Sequence, residues 1–139
     1  MTIIAAVTDS RVGRHALVEA VAEAKQLGTD LVAVNLRNTE LDVTDLDTDG
    51  LTVTVVDHKG MSKDDSADAV FDEIEARNAT RLVIGVKRRT PVGKAILGSL
   101  SQRLLLNSPV PVLAVKLPED EWPSSSFDNL PAGMRRVTG

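Results

Sequence analysis

Ile3-Ile4-Ala5-Ala6-Val7-Thr8-Asp9-Ser10 decides the fold. Five apolar residues, β-branched ones among them, run without a polar interruption and stop at Thr8-Asp9-Ser10, which is the length and character of a strand buried on both faces. Val12, Ala16, Leu17, Ala20, Val21, Ala24 and Leu27 then recur at helical spacing, with Lys25 in the last turn and Gly28 as a stop. A strand, a polar turn and a helix are followed by Leu31 to Leu36, a second buried strand. Arg37 to Gly50 is an acidic, Thr-rich connection without a period and reads as a loop.

The alternation continues to the carboxyl end. Leu51 to Asp57 predicts a third strand, and Ser62-Lys63-Asp64-Asp65 resembles a capping box opening a helix through Ala67, Val70, Phe71 and Ile74, closed at Asn78. Arg81 to Gly85 predicts a fourth strand, Ala95 to Asn107 a last helix with Ile96, Leu100 and Leu104 on one face, and Val110 to Val115 a fifth strand. Continuous apolar strands alternating with helices imply a doubly wound α/β domain: a five-stranded parallel sheet in the order 3-2-1-4-5, with helices on both faces. Pro109 and Pro111 cannot donate ladder hydrogen bonds, so the fifth strand belongs at an edge, where it can pair with a second chain.

At 139 residues and 42% hydrophobic, the chain suits one domain with one core. Residues 1–117 form that domain. From Pro118 onward the period fails, and residues 118–139 read as a flexible tail; Trp122 and Phe127 within it either dock on a surface or are incidental. A formal net charge of -4 argues against nucleic acid as a partner, so Lys87, Arg88, Arg89 and Lys94 read as a local basic cluster. With no cysteine, disulfides, thiolate metal sites and thiol catalysis are excluded, and His15 and His58 alone make no metal centre. The amino terminus lacks a basic leader and no run is long enough to span a bilayer, which sets the expectation of a cytoplasmic protein without membrane partners.

Gly85-Val86-Lys87-Arg88, followed by Gly98-Ser99, reads as a phosphate cradle with one irregular position. Glycine after a strand lets a ligand approach the backbone, and Gly-Ser opening a helix aims N–H groups and a hydroxyl at an anion. In open parallel sheets ligands bind beyond the carboxyl ends of the strands where the strand order reverses. Thr8-Asp9, the Gly85 loop and the Gly98-Ser99 helix start should therefore converge, with Leu36 lining an apolar pocket, a geometry suited to a nucleotide.

Gly85, Gly98 and Ser99 match the fingerprint of the universal stress protein family, which is Gly, two residues, Gly, nine residues, then Gly-Ser or Gly-Thr. Val7-Thr8-Asp9-Ser10, Leu82-Val83-Ile84-Gly85 and Pro109-Val110-Pro111-Val112-Leu113-Ala114-Val115-Lys116 extend the resemblance over roughly residues 3–116. The resemblance implies Val7, Thr8, Asp9 and Leu36 around an adenine, Ile84, Gly85, Lys87 and Arg88 along ribose and phosphates, and Gly98, Ser99 and Leu100 at the phosphate end. The implied cofactor is ATP or another adenine nucleotide, AMP and cyclic AMP included, with or without magnesium. It also implies a stress-response sensor or regulator and a homodimer through Val112 to Val115.

Arg88 stands where the family has its second glycine. Were that backbone left-handed, an L-residue would cost about 1–2 kcal/mol and its side chain would crowd the phosphates. Alternatively its guanidinium offers phosphate oxygens bidentate, charge-assisted hydrogen bonds. No nucleophile–base pair and no Walker pattern is present, so catalysis is not expected, slow ATP hydrolysis aside. Two other readings compete: a nucleotide-free dimeric interaction module of the same fold, and a receiver-like phosphoacceptor domain using Asp57.

Overall fold

A computed structural model describes residues 1–8, 11–58, 63–88, 95–96 and 98–116, with the backbone alone at 63–64, 87–88 and 95–96. The elements in chain order are β1 (Thr2–Val7), α1 (Arg11–Leu27), β2 (Asp30–Asn35), β3 (Val53–Asp57), α2 (Lys63–Ala76), β4 (Arg81–Arg88), β5 (Ala95–Ile96), α3 (Ser99–Asn107) and β6 (Val112–Lys116). Five strands pair in parallel in the spatial order β3-β2-β1-β4-β6, and the two-residue β5 joins β4 antiparallel. Numbered by the parallel strands alone, the order is the expected 3-2-1-4-5.

Strand periodicity divides the core into two layers. Ile3, Ala5 and Val7 of β1 and Leu31 and Ala33 of β2 face α1, packing on Ala16, Leu17, Ala20 and Ala24. Ile4, Ala6, Val32 and Val34 face the other way, onto Ala67, Val70 and Ile74 of α2 and Leu104 of α3. Both faces of the central strands are buried, which is why these strands read as unbroken apolar runs. The connection from 37 to 50 crosses the α1 side, where Leu41, Val43 and Leu46 pack against the first layer.

Helix stops follow the sequence. Gly28 takes φ +66° after α1, with the Thr29 N–H donating to the Ala24 carbonyl at 3.0 Å. Asn78 takes φ +52° after α2, the one non-glycine residue with positive φ among the described residues. The capping box falls on Ser62, and the tail with Trp122 and Phe127 lies beyond Lys116; both are outside the described residues.

Several expected boundaries move. β3 begins at Val53, not Leu51. β6 begins at Val112, not Val110, because the Ser108 hydroxyl folds Ser108–Val110 into a local turn, accepting from the Val110 N–H and donating to its carbonyl. Pro111 then offers only a carbonyl, which accepts from the Leu82 N–H at 3.0 Å. Among the described residues β6 pairs only with β4, at the edge of the parallel sheet. The largest correction concerns Gly85 to Arg88. These residues continue β4, and Ala95–Ile96, expected as the first helical turn, pair instead with Arg88 and Lys87. Helix α3 therefore starts at Ser99, behind Gly98 as its cap residue.

Candidate functional site at the carboxyl edge of the sheet

The strand order reverses between β1 and β4, with Val7 and Thr8 at the carboxyl end of β1 and Gly85 in β4 beside it. Close backbone approach holds them together. A Cβ at Gly13 in the first turn of α1 would lie 2.4 Å from the Thr8 carbonyl oxygen and 2.7 Å from its Oγ1. One at Gly85 would lie 2.2 Å from Val12 Cγ1 and 2.7 Å from the Val12 carbonyl oxygen. The first turn of α1 is thus wedged between the end of β1 and β4, which only glycine at both positions permits. On the far side, the Ser101 hydroxyl of α3 donates to the Gly85 carbonyl at 3.3 Å. A continuous run of contacts links Thr8, Gly13, Val12, Gly85 and Ser101.

Gly98 differs from these two glycines. Its φ of -65° and ψ of 164° are extended values open to any residue, and no described atom lies within 4 Å of where its Cβ would be. It is exposed at the head of α3, whose first-turn amides have no carbonyl of their own helix to bond. Ser99 beside it is exposed, while Leu100 turns partly inward onto the α2–α3 layer.

A cleft of about 560 Å³ opens next to the end of β1. Val7 and Thr8 form its floor, Arg11 and Arg14 of α1 one wall, Arg37 and Glu40 after β2 another, and Asp42 and Asp45 of the 37–50 connection its outer rim. Arg14 donates to an Asp45 carboxylate oxygen and to the Asp42 carbonyl, the latter at 3.3 Å. The Arg14 guanidinium holds the Asp45 carboxyl below the usual carboxylate range, and hydrogen bonds from the Thr44 N–H and hydroxyl do the same for Asp42. Further along, Lys25 at 3.1 Å from Asp47 lowers that carboxyl too.

The residues expected from sequence divide accordingly. Val7 and Thr8 line the cleft; Ile84 is buried on the α2–α3 face; Gly85 abuts the first turn of α1; and Gly98, Ser99 and Leu100 head α3. The Leu36 N–H donates to the Val7 carbonyl at 2.9 Å, while its side chain packs on the α2–α3 layer, leaving Arg37 as the cleft wall. Asp9 and the side chains of Lys87 and Arg88 lie outside what is described. Arg88 has strand backbone paired with Ala95, so the left-handed strain considered for it has no counterpart in the fold. Sequence reading missed Gly13, Arg14, Ser101 and Asn35. Of these only Asn35 left a signal, a lone amide closing the apolar run of β2.

The fold defines the class, an open doubly wound α/β domain, here with a cleft beside the carboxyl end of β1. Residues 52–116 match the model of the universal stress protein family. A universal stress protein of Mycolicibacterium smegmatis is 50% identical over 52 residues, covering 37% of this chain and 40% of that protein. A universal stress protein of Archaeoglobus fulgidus superimposes with a TM-score of 0.62 at 23% identity, over 86% of this chain and 45% of the other. The universal stress protein from Archaeoglobus fulgidus in complex with dAMP gives a TM-score of 0.53 at 20% identity, over 84% of this chain and 98% of that one. The chain thus spans less than half the length of the first two relatives.

Proposed function

We propose that the domain binds an adenine nucleotide at the carboxyl edge of the sheet and serves as a sensor or regulator in the stress response, without turning its ligand over. The observation that carries this reading is Gly98. Its backbone conformation suits any residue and open space stands where a Cβ would be, so the described fold gives no steric reason for glycine there. A phosphate seated against the head of α3 supplies one, since a Cβ would occupy the space it needs. The Archaeoglobus relative in complex with dAMP supports an adenine nucleotide as the ligand class.

The donor set fits such a group. Val7 and Thr8 border a cleft within the range of small-ligand sites, and Asp9 adjoins it in sequence, suited to a base. Ile84, Gly85, Lys87 and Arg88 run along β4 toward ribose and phosphates, and Gly98, Ser99 and Leu100 present helix amides and a hydroxyl to the phosphate end. When bound, the nucleotide supplies a signal through its occupancy; magnesium is required only if it carries a polyphosphate. Arg88 serves here as a phosphate ligand, because strand backbone removes the strain argument against it. A domain of residues 1–117, followed by a tail at 118–139, and a homodimer through the Val112–Val115 edge complete the proposal for a cytoplasmic protein.

Calorimetry on Arg88→Gly tests the assignment. A charge-assisted hydrogen bond is worth about 1.5–3 kcal/mol, so the variant loses roughly 10- to 150-fold in AMP affinity. A gain in ATP affinity instead identifies Arg88 as a block and contradicts its role as ligand.

A further inference from the structure

Asn35 ends β2 and is fully buried, on the same face as Leu31 and Ala33 that pack toward α1. Both N–H donors of its side-chain amide are used, and its oxygen accepts one bond. Nδ2 donates to the Thr39 carbonyl at 3.0 Å and to Asp57 Oδ1 at 2.8 Å, and Oδ1 accepts from the Arg37 N–H at 3.0 Å. The orientation of the amide follows from its partners, because the Thr39 carbonyl can only accept and the Arg37 N–H can only donate. Asp57 is the register partner of Asn35 across β2 and β3, and the His58 N–H closes the junction by donating to the Asn35 carbonyl at 2.9 Å.

These bonds converge on one short turn. Leu36 is fastened to β1 through the Val7 carbonyl, Arg37 and Thr39 are fastened to Asn35, and Arg37 Nη2 bonds Thr39 Oγ1 at 2.9 Å. The same turn supplies Arg37 to the cleft wall, with Glu40 directly after it. We infer that Asn35, braced by Asp57, is the positioning residue that sets the β2 wall of the cleft, so that ligand affinity depends on a side chain beneath the site. The inference rests on the reading of this cleft as the nucleotide site. An isosteric carboxylate at position 35 keeps an acceptor for the Arg37 N–H but carries no proton for Thr39 or Asp57, and it faces the Asp57 charge.

The test combines AMP calorimetry, thermal melting and amide exchange of Arg37 by NMR on wild type, Asn35→Asp, Asp57→Ala and the swapped pair Asn35→Asp/Asp57→Asn. Asn35→Asp is expected to weaken AMP binding about tenfold or more and to speed Arg37 amide exchange by a similar factor. The swap restores the amide–carboxylate bond with reversed polarity, leaves the Thr39 carbonyl without its donor, and recovers part of the affinity. Asp57→Ala, altering an exposed carboxylate, is expected to show the same trend to a smaller extent if Asn35→Asp does not fold. Wild-type affinity in folded Asn35→Asp or, where that variant does not fold, in Asp57→Ala overturns the inference. So does a swap that restores the melting temperature but leaves affinity no higher than in Asn35→Asp, which marks the pair as a staple only. Absence of AMP binding by wild type overturns the nucleotide reading alone, and Arg37 exchange then decides the positioning role: faster exchange in Asn35→Asp or Asp57→Ala sustains it, unchanged exchange refutes it.

Discussion

Three glycines at the carboxyl edge have two different causes. Gly13 and Gly85 are imposed by packing, because a Cβ at either would meet backbone of the Thr8 or Val12 residue well inside contact distance. Gly85→Ala is therefore expected to destabilise the fold by roughly 1–3 kcal/mol, read as a lowered denaturant midpoint. Gly98 meets nothing among the described atoms, and Gly98→Ala should leave the midpoint unchanged while weakening AMP binding. Equal loss of stability in both variants would contradict this division. The spacing of Gly85 and Gly98 was legible in the sequence, but the reason for each was not. Whether a glycine answers to α1 or to a ligand depends on which element crosses it, and Gly13, one residue past Val12 in a helical pattern, carries no local mark of its contact with β1.

At the scale of elements, the 37–50 connection is legible as an acidic loop, whereas its attachment is not, since Arg14 and Lys25 lie on α1 far away in sequence. Asp45 pairs with Arg14 and Asp47 with Lys25, and Leu41, Val43 and Leu46 pack beneath, so the loop is a strap across α1. Its carboxyl groups at Asp42, Asp45 and Asp47 titrate below the ordinary value, through the Thr44, Arg14 and Lys25 hydrogen bonds respectively. Groups with depressed folded-state values contribute stability that is complete above the unfolded value and is lost as pH falls through the folded one. Amide exchange across 37–50 should accordingly be slow at neutral pH and accelerate below about pH 4, ahead of the β1 and β2 amides. Strap and strand amides opening together at the same pH would contradict an independently pinned element. The β4–β5 pairing was illegible for a related reason: Gly85-Val86-Lys87-Arg88 has a glycine and two cations where a strand pattern has apolar residues, and it is extended through pairing of Gly85 and Val86 with β6 and of Lys87 and Arg88 with Ala95–Ile96.

Across the whole molecule, the topology was readable because both faces of β1, β2 and β4 are covered, and that burial writes itself as unbroken apolar runs. The Asn35–Asp57 brace was not, because it joins residues 22 apart that become neighbours only through strand register. The edge position of β6 leaves one side of Val112–Lys116 without a strand partner among the described residues, and pairing with a second copy is the expected use of that edge. Sedimentation equilibrium should therefore give twice the 14.9 kDa chain mass at micromolar concentration; a monomer there contradicts the edge pairing without touching the ligand site. The central claim, that the carboxyl edge holds an adenine nucleotide, is tested most directly by calorimetry of the folded chain with AMP, ATP and cyclic AMP. Saturable binding of at least one of them, at one ligand per chain and weakened in Gly98→Ala, is the predicted result, and no heat with any of the three would contradict it.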